Sequence, residues 1–346
     1  MDNPNFSDAE TDLKGPIPLS NIFIHVTKAC NLLCAYCYFS ANKQLPDELT
    51  TEEFAPLWPQ VVALRPKKVV FTGGEPLLRP DILDLMRALN SADPHHRILR
   101  CLNTNGQLVT AAVAQQLVGL ADEVRVSVDA LQELNDELRG KGSFEAALRA
   151  LDLFYAAGFE PTALVTVSSL SLPDLEELLC CLIGRSITHI KINPLRPIGR
   201  GKGNEKWLIR DLAAVQSAVR RAWERSYPSL RIPDMPADPE CQSHCGVGES
   251  VNIMPNGDVF PCHVLVSGEF RCGNLRQESF AAICRRNGLL GALANIDFRN
   301  LARQADTVAG LTRPGTCMGS VYAATKSDPV WQKNLPLVQL TSGHAG

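Results

Sequence analysis

The chain has 346 residues, 45% of them hydrophobic and 21% charged, with a formal net charge of −3. These values fit one large α/β domain with a smaller appendage, or two domains, and nothing in them suggests a general nucleic-acid or anionic-membrane partner. The opening "MDNPNFSDAETDLKG" is polar and no run of 18 apolar residues follows, so a membrane span is not expected and the default expectation is the cytoplasm.

In chain order, six short β-branched runs alternate with amphipathic helical stretches. The runs are "NIFIHVT" from Asn21, "KKVVFTG" from Lys67, "RILRCLN" from Arg97, "EVRVSVD" from Glu123, "TALVTVS" from Thr162 and "HIKINPL" from His189. Between them "TTEEFAPLWPQVVAL", "PDILDLMRALNSA", "TAAVAQQLVGLA", "SFEAALRALDLFYAAG" and "LPDLEELLCCLIG" carry apolar residues at helical spacing. Strands alternating with helices imply a parallel sheet with chemistry at its carboxyl edge. A further helix, "RDLAAVQSAVRRAWERS", ends near Tyr227, where the composition shifts toward Pro, Asp and Cys. "VNIMPNGDVFPC" reads as a hairpin around Asn256-Gly257. The expected organisation is a tail (1–20), a core (21–226) and a small C-terminal segment (227–346).

Twelve cysteines are too many for a reducing compartment unless some bind metal or do chemistry. Cys180, Cys181 and Cys284 sit in helical apolar patterns and read as core. Cys30, Cys34 and Cys37, in "KACNLLCAYCYFSA", follow the first strand directly. Three thiolates on a tight loop can hold three corners of a cubane iron–sulfur cluster and leave one iron open. A three-thiolate zinc completed by a distant His is the rival reading.

C-x3-C-x2-C with Tyr36 before the last cysteine resembles the signature of the radical S-adenosylmethionine (SAM) superfamily. Later strand ends match in order: Gly73-Gly74-Glu75-Pro76, then "NTNG" with Asn103 and Asn105, then "VSVDAL" with Ser127 and Asp129, then "LRGKGSFEAAL" with Arg139. The resemblance spans roughly residues 20 to 205 and implies a partial (β/α)6 barrel. It also implies that Cys30, Cys34 and Cys37 ligate a 4Fe–4S cluster, and that the Gly-Gly-Glu-Pro segment meets the methionine amine. Ser127, Asp129 and Arg139 would meet the methionine carboxylate and ribose. The cluster would then cleave SAM reductively to a 5′-deoxyadenosyl radical, drawing its electron from a flavodoxin- or ferredoxin-type donor.

"CGVGESVNIMPNGDVFPC" and "CGNLRQESF" resemble the opening of a SPASM domain, an extension found on such enzymes. The later cysteine block of that domain is reduced to Cys317, which implies a shortened, twitch-like segment with one auxiliary 4Fe–4S cluster. Its ligands would be Cys245, Cys262, Cys317 and Cys241, with Cys272 the rival for the fourth place and a four-thiolate zinc the rival metal. Lys191, Arg196 and Arg200 are candidates to hold a polar or anionic substrate; Arg200 could equally pair with backbone carbonyls. Fewer than 21 residues precede the first strand. That is too few for the peptide-recognition domain such enzymes often carry, and the resemblance to shortened members implies a small polar metabolite (a sugar, aminoglycoside or sugar-nucleoside) undergoing epimerisation, dehydrogenation or decarboxylation as the expected substrate. The alternative is a ribosomally made precursor peptide.

Overall fold

The computed structural model describes residues 17–209, 212–227, 247–285 and 288–294. All six expected strands form: β1 (Asn21–His25), β2 (Lys68–Thr72), β3 (Leu99–Thr104), β4 (Glu123–Ser127), β5 (Thr162–Val167) and β6 (His189–Pro194). They run parallel in the order β6-β5-β4-β3-β2-β1, an open sheet that does not close into a barrel. The expected hairpin is β7 (Ser250–Ile253) and β8 (Asp258–Phe260), and β9 (Gly273–Asn274) completes the meander. It does not stand apart from the sheet. β7 pairs parallel with β1, Asn21 opposite Ser250 through Ile24 opposite Ile253, so one sheet of nine strands runs through the molecule. The pairing covers the β1 edge, which a six-stranded sheet would leave with bare amide groups.

Helices cover one face. The first expected helix is split at Pro56 into α1 (Thr51–Phe54) and α2 (Leu57–Leu64). Thr50 and Glu53 form a reciprocal cap at its start. Then come α3 (Ile82–Ala92), α4 (Ala111–Leu117), α5 (Gln132–Arg139), α6 (Ser143–Ala156), α7 (Leu175–Gly184) and α8 (Leu212–Ser226), followed by the short α9 (Phe280–Ile283) and α10 (Leu289–Ala294). The sequence pattern does not announce α5, whose eight residues are mostly polar.

Strand register separates two faces. Ile24, Phe71, Leu102 and Val124 align across neighbouring strands and are all fully buried against the helices. The concave face holds Thr72, Asn103, Arg125, Thr162 and His189, with Ser127, Leu164 and Lys191 one step further along. Cys284 is in the helix-side core, and Cys180 and Cys181 pack against it, as expected. Among the described residues no helix is long and apolar enough to cross a membrane.

Candidate active site

The cysteine loop leaves the carboxyl end of β1 and is tied down at its base before the first thiol. Glu48 Oε1 accepts from the Lys28 amide (2.7 Å), the Leu45 amide (3.0 Å) and Thr27 Oγ1 (3.2 Å). Cys30 N donates to Asn42 O at 2.9 Å and Asn42 N to Lys28 O at 3.0 Å, closing the loop on itself. Cys37 N then donates to Cys34 O at 3.2 Å, placing the last two cysteines on one turn. Nothing in the spacing of the sequence marks Glu48 for this task.

Gly73 and Gly74 lie against this loop so closely that only glycine fits. A Cβ on Gly73 would stand 2.5 Å from Thr27 O, and one on Gly74 would stand 1.9 Å from Ala29 O. The contact is locked by Gly74 N to Thr27 O and Glu75 N to Ala29 O, both 2.8 Å. The Glu75 carboxylate is fully buried and occupied internally. It accepts from Asn105 N at 2.7 Å, Thr104 Oγ1 at 2.8 Å and Leu77 N at 3.1 Å. Burial raises its pKa and these donors oppose the rise. Glu75 therefore braces the ends of β2 and β3, and the segment presents backbone rather than a carboxylate to a ligand. Asn105 Nδ2 donates to Asn31 Oδ1 at 2.8 Å and lies 3.9 Å from Cys30 Sγ. Asn103 Nδ2 donates to Thr72 Oγ1 at 3.4 Å on the concave face.

Asp129 is the second knot. It is 1% exposed and accepts from Tyr36 Oη, Arg139 Nη1 and Thr166 N (2.5 Å), while its own amide donates to Asn135 Oδ1 at 2.9 Å. Asp129 thus holds Tyr36 and Arg139 in place from the end of β4. Burial works against the Arg139 charge, and the Asp129 carboxylate outweighs it, keeping the guanidinium protonated. Arg139 Nε is buried and partnerless among the described residues. Ser127 stands half-buried at the end of β4 on the concave face.

Burial pushes the Cys30 thiol up to about 11, against the Leu32 amide that donates to it. Cys34 is also raised by burial, with Arg139 and Arg200 opposing. Thiols so placed bind metal as thiolates, and the proton leaves as the metal enters. Among the described residues no three His, Cys, Asp or Glu side chains converge on a point as a single ion requires. A cubane spreads its thiolates over separate irons and needs no such convergence. The residues present fit a cluster with SAM on it. Three thiols share one loop, two glycines admit backbone close by, and buried guanidinium atoms of Arg139 and Arg200 stand without hydrogen-bond partners among the described residues.

Of the auxiliary set, Cys262 falls within the described residues, at the end of β8, and its sulfur accepts from the amides of Val264 (3.4 Å) and Leu265 (3.3 Å). Cys241, Cys245 and Cys317 lie outside them. Cys272 is half-buried, its thiol 3.5 Å from Phe270 O, and burial raises its pKa. The C-terminal strands meet the cysteine loop through rings: His263 packs edge-on to Tyr38 at 5.7 Å between centroids, and His25 lies on Phe39 at 4.4 Å. His25, fully buried, shares a hydrogen bond of 3.1 Å between Nε2 and Asn252 Oδ1 on β7.

Arg200 does not face the concave surface as a substrate contact would. It donates to the carbonyls of Cys34 and Ala41. Lys191 is exposed on that surface. A cavity of about 820 Å³ opens at the amino ends of β3 to β6, lined by Leu99, Glu123, Thr162, His189 and Lys191 among others. It lies about a strand length, some 15–20 Å, from the cysteine loop.

Comparison with known proteins agrees with this geometry. The radical SAM superfamily model matches residues 24–179, and an iron–sulfur cluster-binding domain model matches 241–306, a span that includes Cys241, Cys245, Cys262 and Cys272 and stops short of Cys317. The mycofactocin maturase MftC of Mycobacterium tuberculosis is 32% identical over 280 residues, 77% of this chain and 69% of its own. The Fe-coproporphyrin III synthase of Methanosarcina barkeri is 31% identical over 219 residues, 59% of this chain and 53% of its own. SuiB of Streptococcus suis, crystallised with its precursor peptide SuiA, superposes with a TM-score of 0.65 at 19% identity, covering 81% of this chain and 68% of that one. These findings overturn the expectation of a sugar-like metabolite as substrate: the similar proteins include a maturase and a fold neighbour solved with a precursor peptide. The brevity of the segment before β1 carries no weight against a peptide, because leader recognition can be supplied by a separate chain. With that identity over that length, the chain belongs to the radical SAM superfamily of iron–sulfur enzymes, and it carries a SPASM-type segment for an auxiliary cluster.

Proposed function

We propose that this protein is a radical SAM maturase that modifies a peptide. The similarity to mycofactocin maturase over 280 residues carries the reading. Cys30, Cys34 and Cys37 would ligate the SAM-binding cluster, and Cys241, Cys245, Cys262 and Cys317 the auxiliary one, with Cys272 the rival for Cys241. When bound, the first cluster supplies the electron that cleaves SAM and starts hydrogen abstraction from the substrate.

The chain's own residues do the placing. The backbone of Gly73 and Gly74 would receive the SAM amine beside the loop, and Arg139 Nε the SAM carboxylate. Asp129 fixes Arg139 and Tyr36 before any ligand arrives, so their orientation is in place in advance. Ser127 would contact the ribose, and Asn103 and Asn105 would support the same rim. A peptide chain would lie along the concave face, where Lys191 and Arg196 can hold its polar or anionic groups.

The test is turnover by the anaerobically reconstituted protein with short peptides encoded beside its gene, read by mass spectrometry. A mass change on one peptide, dependent on SAM and reductant, is expected. Formation of iron coproporphyrin III from a tetrapyrrole precursor, with every peptide left unchanged, would overturn the reading. In the same assay Cys34→Ala is expected to lower iron from about eight per chain to about four and to abolish SAM cleavage. Cys262→Ala is expected to spare uncoupled SAM cleavage and stop peptide modification.

A further inference from the structure

We infer that Arg200 is a positioning residue for the SAM-binding cluster, clamping the cysteine loop from the far side of the sheet and placing a positive charge against its sulfurs. Arg200 lies 163 positions beyond Cys37, on the short helical turn Gly199–Gly201 after β6. That turn is pressed onto the loop. A Cβ on Gly199, where φ is +58°, would stand 2.3 Å from both Cys37 O and Tyr38 O. The Arg200 amide donates to Cys37 O at 3.0 Å. Its side chain then threads into the loop, Nε donating to Cys34 O at 2.8 Å and Nη1 to Ala41 O at 2.7 Å. One residue thus joins the stretches carrying the second and third thiols to the segment that closes the loop. Bidentate use of a planar guanidinium fixes direction as well as distance, which a lysine cannot reproduce.

The remaining nitrogen makes the clamp more than mechanical. Arg200 Nη2 is buried with no hydrogen-bond partner among the described residues. A buried, unmatched donor on a charged group costs free energy unless something fills it. With Nε on the Cys34 carbonyl and Nη1 on the Ala41 carbonyl, the guanidinium and its vacant donor lie inside the loop that carries the three thiols. A cubane on three thiolates is negatively charged and gains one more negative charge on reduction. A nearby cation and an N–H donor to sulfur stabilise the reduced form more than the oxidised one and raise the reduction potential.

The test uses the full chain reconstituted anaerobically, with Arg200→Gln and Arg200→Lys beside the wild type. Iron content, the electron paramagnetic resonance signal that responds to added SAM, and its midpoint potential by mediated titration are read together. Arg200→Gln is expected to give a more negative midpoint in that SAM-responsive signal. Arg200→Lys is expected to restore the midpoint while leaving a broadened signal, because the charge returns without the fork. An unchanged midpoint in Arg200→Gln, or a midpoint that Arg200→Lys fails to restore, overturns the assignment. Should both variants lose iron, pulsed resonance on protein that keeps Arg200 decides. In an Arg139→Lys background labelled with 15N-arginine, a nitrogen coupled to the reduced cluster supports the assignment and its absence overturns it. None of these readouts depends on which substrate the enzyme takes.

Discussion

The two faces of the parallel sheet follow different rules. On the helix side Ile24, Phe71, Leu102 and Val124 stand in one register row, wholly out of solvent. On the concave side the neighbouring row reads Thr72, Asn103, Arg125, Thr162 and His189. Parallel sheets covered on both faces read as continuous apolar runs. Across β4, β5 and β6 this one alternates instead, with Arg125, Thr162 and His189 standing where a covered face would put aliphatic residues. Glu123 illustrates the difference: it accepts from Arg125 Nε at 2.6 Å and from Lys68, an ion cluster placed where a covered sheet would put aliphatic packing.

The sharpest way to break the contrast is to damage the helix side. Phe71→Ala removes a fully buried ring and is expected to cost about 3–5 kcal/mol, measured by anaerobic denaturant unfolding. A loss below 1 kcal/mol would mean that the helix side does not carry the fold. On the concave side, Lys191→Gln should leave stability within about 0.5 kcal/mol and spare uncoupled SAM cleavage, yet reduce peptide turnover about tenfold or more. A parallel loss of stability would class Lys191 with the scaffold instead. The smallest effect is electrostatic. Burial disfavours the Glu123 charge, but the hydrogen bonds from Arg125 and Lys68 outweigh it and hold the carboxyl down at about 2, against 4.5 when unperturbed. A depressed folded value means that the stabilisation is present above pH 4.5 and is lost as pH falls toward 2. Allowing for solvent screening of this half-exposed group, Glu123→Gln should remove about 1 kcal/mol of that acid-side slope.

Much of this was legible in the sequence because period-two alternation, turn residues and cysteine spacing are local signals. The six parallel strands and the Asn256-Gly257 hairpin could be read that way; the Gly73-Gly74 segment was marked by resemblance alone, and its close approach to the cysteine loop emerged only with the fold. What could not be read are contacts that join distant segments. Glu48 looks like any loop carboxylate until it gathers the amides of Lys28 and Leu45. Arg200 offers its charge to substrate or backbone equally until folding brings it to Cys34. The helix α5 is too polar to show an apolar stripe; it is anchored instead by the buried Asn135, which binds Asp129 and Ser143. Nor did the brevity of the segment before β1 identify the substrate, since its size says nothing about a recognition partner on another chain.

Because β1 has β2 on one flank and β7 on the other, it is a shared rib rather than a seam between modules. Excising everything after residue 227 would strip its hydrogen-bonding flank and leave a sticky ribbon beside the cysteine loop. Chimeras that graft a foreign C-terminal segment must therefore carry a strand able to dock in register with Asn21–Ile24, whatever cysteines they bring.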